Sequence, residues 1–562
     1  MNDIRRTILS VVFAFSLIML WNQWQVYHGH APLFGPAQQA PAAGAASAPA
    51  LAASAADAPP AGNLAAAAPP GEQQAAAPAA PRERIKVSTD VLRLAFDTEG
   101  GSIVKSEFLK YPVQGHPDQP FVLLDASAER LYKAQSGLID GPFPNHRTPM
   151  TFTGERALAD GANELTLRFT SPEMGGVRLN KIYTLRRGSY VIDVRHEIVN
   201  AGSQPVSARL YVQLVRDGNK PPDASSFYST FTGPAFYTEA KNFQKVEFSD
   251  IEKKKAEFEH QSPSGWAAMV QHYFASAWLL PAGQGHENFA RKVDANLYAA
   301  GMMTPVSPGP LAPGATASVD ARLFIGPQVE KALADIAPGL DLVKDYGRTK
   351  IFAKPLYWLL DKIHGVLGNW GWSIVALVLL LKILFYPLNA KAYSSMAKMK
   401  ALNPRIMDMR ERYKDNPRQM QTEMMRIYRE EKVNPMGGCL PMLVQMPVFI
   451  ALYWVLLSSV EMRGAPWTLW VHDLSAKDPF YILPIVMTLT TLLQMALSPP
   501  PPDPTQAKMM WIMPLAFSVM FFFFPSGLVI YWVTNNILTI AQQWIINTRM
   551  GIPPQFNLPK FR

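Results

Sequence analysis

Three hydrophobic patterns divide the chain. An unbroken apolar run fills residues 8–21, a period of two recurs across 82–340, and beyond 348 a period of 3.6 passes into runs of membrane-span length. The first run, ILSVVFAFSLIMLW, follows Arg5 and Arg6 and extends through weakly polar and aromatic residues to Tyr27. A cleaved signal peptide needs small residues soon after its apolar core, but NQWQVYHGH follows here, with Trp21, Trp24 and Tyr27 at interfacial positions. Residues 1–27 therefore read as an uncleaved transmembrane anchor whose basic start stays in the cytoplasm.

Alternation begins after a linker. Residues 31–81 are nearly all Ala, Pro, Gly, Ser and Gln, with Asp57 and Glu72 the only acids and no Lys or Arg, so 28–81 reads as an extended tether. Leu92, Leu94 and Phe96 then alternate with Arg93 and Ala95, and Tyr190, Ile192, Val194, His196 and Ile198 alternate with Val191, Asp193, Arg195 and Glu197. Val206, Ala208, Leu210, Val212 and Leu214 continue the pattern after AGSQP. Short strands without helical patterns between them predict a large antiparallel β-sandwich over 82–340. Its His116, His146, His196, Asp193 and Glu197 show neither metal-ligand spacing nor a nucleophile motif, so no catalytic residue, metal or cofactor is expected there.

From 345 to 365, Phe352, Leu356, Leu359, Leu360 and Ile363 fall on one helical face opposite Lys350, Lys354, Asp361 and Lys362, which predicts an interfacial amphipathic helix. Five spans follow at about 370–388, 439–459, 480–497, 509–524 and 527–546, with Pro441, Pro447, Pro484 and Pro514 inside them. With the anchor they make six. Composition does not distinguish this from a soluble protein, since 48% of residues are hydrophobic and 17% charged; the distribution does. Residues 389–434 carry eleven Lys/Arg against six Asp/Glu, whereas 461–479 carry two against three, so the first loop is cytoplasmic, the 82–340 domain is exported and the 549–562 tail is inside.

The basic loop is itself patterned. KAYSSMAKMKALNPRIMDMRERYKD and NPRQMQTEMMRIYREEKVNP predict two helices broken at Asp415, Asn416 and Pro417. Lys398, Lys400, Arg405, Arg410 and Arg412, beside Met407 and Met424, are its candidate docking residues. One reading is a solvated hairpin whose methionines pack its own seam; the other is a dock for ribosomal RNA, anionic lipid or an incoming apolar chain.

One charge falls inside a span. In ALVLLLKILFYPLNAK, residues 376–391, Lys382 lies seven residues before Asn389, roughly 10 Å deep at 1.5 Å per residue. It either snorkels to the cytoplasmic headgroups or lines a water-filled cavity, and no Asp or Glu occurs in the five spans to pair with it. Gln445, Thr488, Thr491 and Gln494 could supply a polar wall, as could Tyr531, Asn535, Thr539 and Gln542 at i, i+4, i+8 and i+11.

YPLNAKAYSSMAKMKALNPRI, EKVNPMGGCLPMLVQMPVFIALYWVL, LWVHDLSAKDP and FPSGLVIYWVTNN resemble the YidC family of membrane protein insertases, across about 350–548. The first helix and the exported sandwich resemble its Gram-negative form. The resemblance implies a polytopic α-helical membrane protein of six transmembrane helices, with a five-helix insertase core over 366–548 and a periplasmic antiparallel β-sandwich. It further implies a cytoplasm-facing hydrophilic groove holding Lys382, at a position often arginine in the family, with Gln445, Tyr531, Trp532 and Asn535 facing or flanking the substrate path. Implied partners are nascent membrane proteins, Sec translocon components, the ribosome and signal-recognition machinery, and membrane lipids, without a specific nucleic acid sequence. The alternatives are a small-solute or anion transporter using Lys382 and a membrane-anchored carbohydrate-active sandwich.

Overall fold

The computed structural model describes residues 82–221, 230–413, 416–431, 440–498, 504–549, 551 and 556. The expected anchor and linker lie outside the described residues, as does most of the tail. The rest separates into two compact units, one ending at Asp345 and the other beginning at Tyr346.

The first unit contains two nine-stranded antiparallel sheets. In spatial order, one sheet runs Arg84–Ser88, Leu92–Asp97, Ser102–Val113, His116–Ala126, Leu131–Ile139, Arg209–Asp217, Leu297–Pro305, His286–Asp294 and Gln261–Ser262. The other runs Asn242–Lys245, Gly233–Thr238, Trp266–Val270, Phe274–Leu279, Thr316–Pro327, Val191–Asn200, Val177–Arg186, Glu164–Thr170 and Thr151–Gly154. Alternation reads through where one face is wet: Ile192, Val194, His196 and Ile198 are buried, while Asp193 on the other face pairs with Arg186.

Two details depart from the alternation. Val206 and Ala208 precede the strand, which starts at Arg209, and from Leu210 to Asp217 every residue is buried. That strand is covered on both faces: Trp278 Nε1 reaches the Gln213 carbonyl at 3.0 Å from the facing sheet, while Tyr211 packs with Ile139 and Met303 and accepts from the His146 backbone N–H at 3.2 Å. Buried polar groups also join the sheets. Lys181 Nζ donates to the Gly100 and Ser136 carbonyls at 2.7 and 2.6 Å, and His196, its cross-strand neighbour, lies 2.8 Å from Ser136 Oγ through Nε2.

The second unit is helical: α1 Lys350–Leu367, α2 Trp370–Leu384, α3 Tyr386–Arg412, α4 Pro417–Glu430, α5 Leu440–Ser458, α6 Ile482–Leu497, α7 Pro504–Met520 and α8 Ser526–Arg549. Gly368, at φ 66°, ends α1, and the Asn369 side chain caps α2 by accepting from Trp372 N at 3.0 Å. Leu360, Ile374, Val378, Leu452, Val455, Met487 and Val529 build the core from α1, α2, α5, α6 and α8. The outward faces stay apolar: Ile383, Leu384, Leu489, Phe517 and Val519 are at least half exposed, a surface suited to lipid and costly in water.

Among the described residues no single helix is long and apolar enough to cross a membrane. The expected 370–388 span bends instead: α2 and the first part of α3, to Ser395, pass that test together across a 62° break. Pro387 explains the break, because it lacks the N–H that Ile383's carbonyl needs. The expected hairpin is present as α3 and α4, but its first helix starts at Tyr386, directly after the bend.

Candidate functional site

Lys382 occupies the last turn of α2, and its side chain is 5% exposed. Its ammonium donates to Thr539 Oγ1 at 2.7 Å, and that hydroxyl donates to the Asn535 carbonyl at 2.6 Å. Hydroxyl back-bonding to the preceding turn fixes Thr539's rotamer and turns its lone pairs toward α2. The charge therefore sits between α2 and α8. Among the described residues it makes no ion pair, and its side-chain hydrogen-bond partner is the neutral Thr539 hydroxyl.

One turn further, Gln542 Nε2 donates to the Lys382 carbonyl at 2.9 Å, and Gln542 Oε1 accepts from Asn389 Nδ2 at 3.2 Å. Of the stripe expected on α8, Thr539 and Gln542 meet Lys382 directly, while Asn535 takes part only through its backbone carbonyl, which accepts from Thr539. Tyr531, at the head of the same stripe, is 4% exposed and belongs to an aromatic cluster. Phe449 stacks edge-on against Trp532, with centroids 4.2 Å apart, and lies 5.4 Å from Tyr531. Gln445 is half-buried on α5, and among the hydrogen bonds of the described residues none joins it to Lys382.

Sequence reasoning passed over the neighbours of the chosen polar residues. Asn536 donates to Thr491 Oγ1 at 2.9 Å and Thr490 Oγ1 at 3.3 Å, and Gln543 Nε2 donates to the Leu497 carbonyl at 3.1 Å, both on α6. The doublets Asn535–Asn536 and Gln542–Gln543 were the available signal, because successive residues on a helix point about 100° apart and serve two neighbours.

At the bundle end away from the hairpin, the segment between α5 and α6 forms a tied cap. Asp478, 2% exposed, accepts from Trp470 Nε1 at 2.9 Å, Phe480 N at 3.0 Å and Leu483 N at 2.6 Å. Tyr357 of α1 donates to Glu461 at 2.6 Å, Asn369 donates to the Pro466 and Trp467 carbonyls, and Ser526 N and Gly527 N of α8 donate to Ala476 and Leu474. The bundle is closed at this end and carries its buried charge toward the other.

The hairpin candidates divide. Met424, with Met409, Met420, Ile406 and Ile427, packs the seam between α3 and α4, whereas Met407 is 53% exposed. Arg405 pairs with Glu430 and Glu431 at 3.3 and 2.8 Å. Lys398 and Arg412 are exposed, and the side chains of Lys400 and Arg410 lie outside the described residues.

Two family models cover nearly all the described chain: the YidC periplasmic domain over residues 84–359 and the 60Kd inner membrane protein over 362–552. A membrane protein insertase YidC of Cupriavidus taiwanensis is 55% identical over 555 residues, covering 98% of each chain. Those of Cupriavidus necator and Bordetella pertussis are 54% and 52% identical, again with 98% of each chain covered. A crystal structure of an active YidC insertase with its first transmembrane domain resolved is 20% identical, covering 82% of this chain and 92% of that one at a TM-score of 0.37. By identity and coverage alike, the chain belongs to the YidC family of membrane protein insertases.

Proposed function

We propose that this chain inserts membrane proteins into a bacterial inner membrane, and helps them fold there, by receiving the polar flank of an incoming segment at Lys382. The observation that carries the reading is an almost fully buried ammonium whose hydrogen-bond partner is a neutral hydroxyl. A carboxylate adds Coulomb attraction between opposite charges to the hydrogen bond that a neutral hydroxyl already makes, so an acidic flank outcompetes Thr539 for the ammonium. Burial of the following apolar segment in lipid then drives insertion at about 25 cal/mol per Å² of apolar area. No nucleotide is required by this scheme.

In this reading the anchor and the five apolar segments of the helical unit make six spans, with both termini in the cytoplasm and the sandwich in the periplasm. The bend at Phe385 brings the basic hairpin into the cytoplasm beside the mouth of the site. There it receives nascent chains from the ribosome and signal-recognition machinery, while Sec translocon components and lipids flank the helices. Gln445, Trp532 and Asn535 lie along the client's path.

The test is protease protection of a short single-span client in liposomes containing only this protein. Protection above empty vesicles that is lost in Lys382→Gln and kept in Lys382→Arg supports the reading. Equal protection in all three reduces Lys382 to a structural residue, and saturable anion uptake without client protection moves the function to a transporter.

A further inference from the structure

The adjacent amides Gln542 and Gln543 each serve a carbonyl at the end of a different helix. Leu497 closes α6, and the residue four positions on, which would supply its hydrogen bond, is Pro501. PPPP at 499–502 removes the donors for the last carbonyls of α6, and Gln543 Nε2 supplies one at 3.1 Å from Leu497 O. On the opposite wall α2 stops at Leu384 before Pro387, and Gln542 Nε2 meets the Lys382 carbonyl at 2.9 Å while its Oε1 takes Asn389 Nδ2 at 3.2 Å. Gln542 therefore grips both sides of the α2–α3 break: Lys382 before it and Asn389 after it.

We infer that Gln542 is a positioning residue that fixes the α2–α3 bend, and with it the direction of the Lys382 side chain and of the basic hairpin, while Gln543 pins the facing wall. The inference rests on the proposed role of Lys382. A primary amide suits the place because it donates to a carbonyl and accepts from an amide at once. Glutamate retains only the acceptor and sets it against the Lys382 carbonyl; methionine matches the length and removes both.

Spin labels test this in the full chain, with Cys439→Ser as background and cysteines introduced at the exposed positions Lys391 on α3 and Ile545 on α8. Gln542→Met and Gln542→Glu should both broaden the 391-to-545 distance distribution, and Gln543→Met should leave it as in the parent. Protease protection on the same variants should show Gln542→Met losing an acidic-flanked client more than a neutral-flanked one. Asn389→Ala, which removes only the second limb, carries the same test should Gln542→Met fail to accumulate. A parental distribution in both Gln542 variants overturns the clamp. A broadened distribution with unchanged client preference upholds the clamp and removes the charge role of Lys382 instead.

Discussion

Lys382 Nζ and Thr539 Oγ1 lie 2.7 Å apart, joining the last turn of α2 to the middle of α8. Since Lys382 is 5% exposed, the hydroxyl carries much of what water would otherwise supply to the ammonium. Thr539→Val keeps the shape and deletes the acceptor, which should cost about 1–3 kcal/mol. The thermal midpoint of the detergent-solubilised protein should fall, and Thr539→Ser should restore it. A valine variant as stable as the parent would show that the ammonium finds another partner at no cost.

This pair was legible because α8 repeats polar residues at i, i+4, i+8 and i+11 within apolar surroundings. The contacts from α8 to α6 were not, because Asn536 and Gln543 stand beside residues already assigned to one face. In the sandwich the alternation of Val177, Leu179, Lys181, Tyr183 and Leu185 places a lysine in an inward register, and all five are buried. A charge in that register is readable, but its two carbonyl partners, Gly100 and Ser136, are distant in sequence and emerge only when the sheets face each other. The bend at Phe385 was hidden for a different reason: the hydrophobic run continues through it, and Pro387 is tolerated both inside membrane helices and at the first turn of a new one.

Buried Lys181 and His196 make the stability of the sandwich rise with pH. Burial pulls its pKa down from 10.5 to about 7, and burial, followed by the Lys181 charge, pulls His196 from 6.5 to about 3. In each window the unfolded chain binds a proton that the native domain excludes, so stability rises with pH. It should climb between about pH 7 and 10 through Lys181, and fall on acidification below 6.5 through His196. Urea midpoints of the Gln39–Asp345 unit, followed by circular dichroism, should show the alkaline rise in the parent and lose most of it in Lys181→Met. At alkaline pH that variant should also be about 1–3 kcal/mol less stable, because two buried carbonyls lose their donor.

Gly371, in the first turn of α2, allows Trp467 to lie against the helix. A Cβ there would stand 2.2 Å from Trp467 Cδ1, closer than carbon atoms approach, and Trp467 is itself held by Asn369 through its carbonyl. Gly371→Ala should therefore force the cap away from α2 at a cost of about 1–3 kcal/mol. The check is protease sensitivity of the 459–481 segment, which should increase in Gly371→Ala and stay at the parental level in Gly365→Ala, where a Cβ meets open space.

Arg405 separates the structural from the docking reading of the hairpin. Its ion pairs to Glu430 and Glu431 join α3 to α4, but its side chain is 52% exposed and its partners 46% and 44%. Such pairs contribute about 0–1 kcal/mol, so Arg405→Ala should barely shift the melting of the hairpin. Ile406→Ala beside it removes a seam residue 1% exposed, packed with Met409 and Ile427, and should cost about 2–5 kcal/mol. Hydrogen exchange over α3 and α4 should therefore quicken in Ile406→Ala and remain parental in Arg405→Ala. If the hairpin acts only through its shape, client insertion follows the same order. If its positive surface receives the client, Arg405→Ala and Arg412→Ala slow insertion while leaving exchange unchanged, and added salt slows the parent toward them, because exposed charge is screened over about 10 Å at 0.1 M ionic strength.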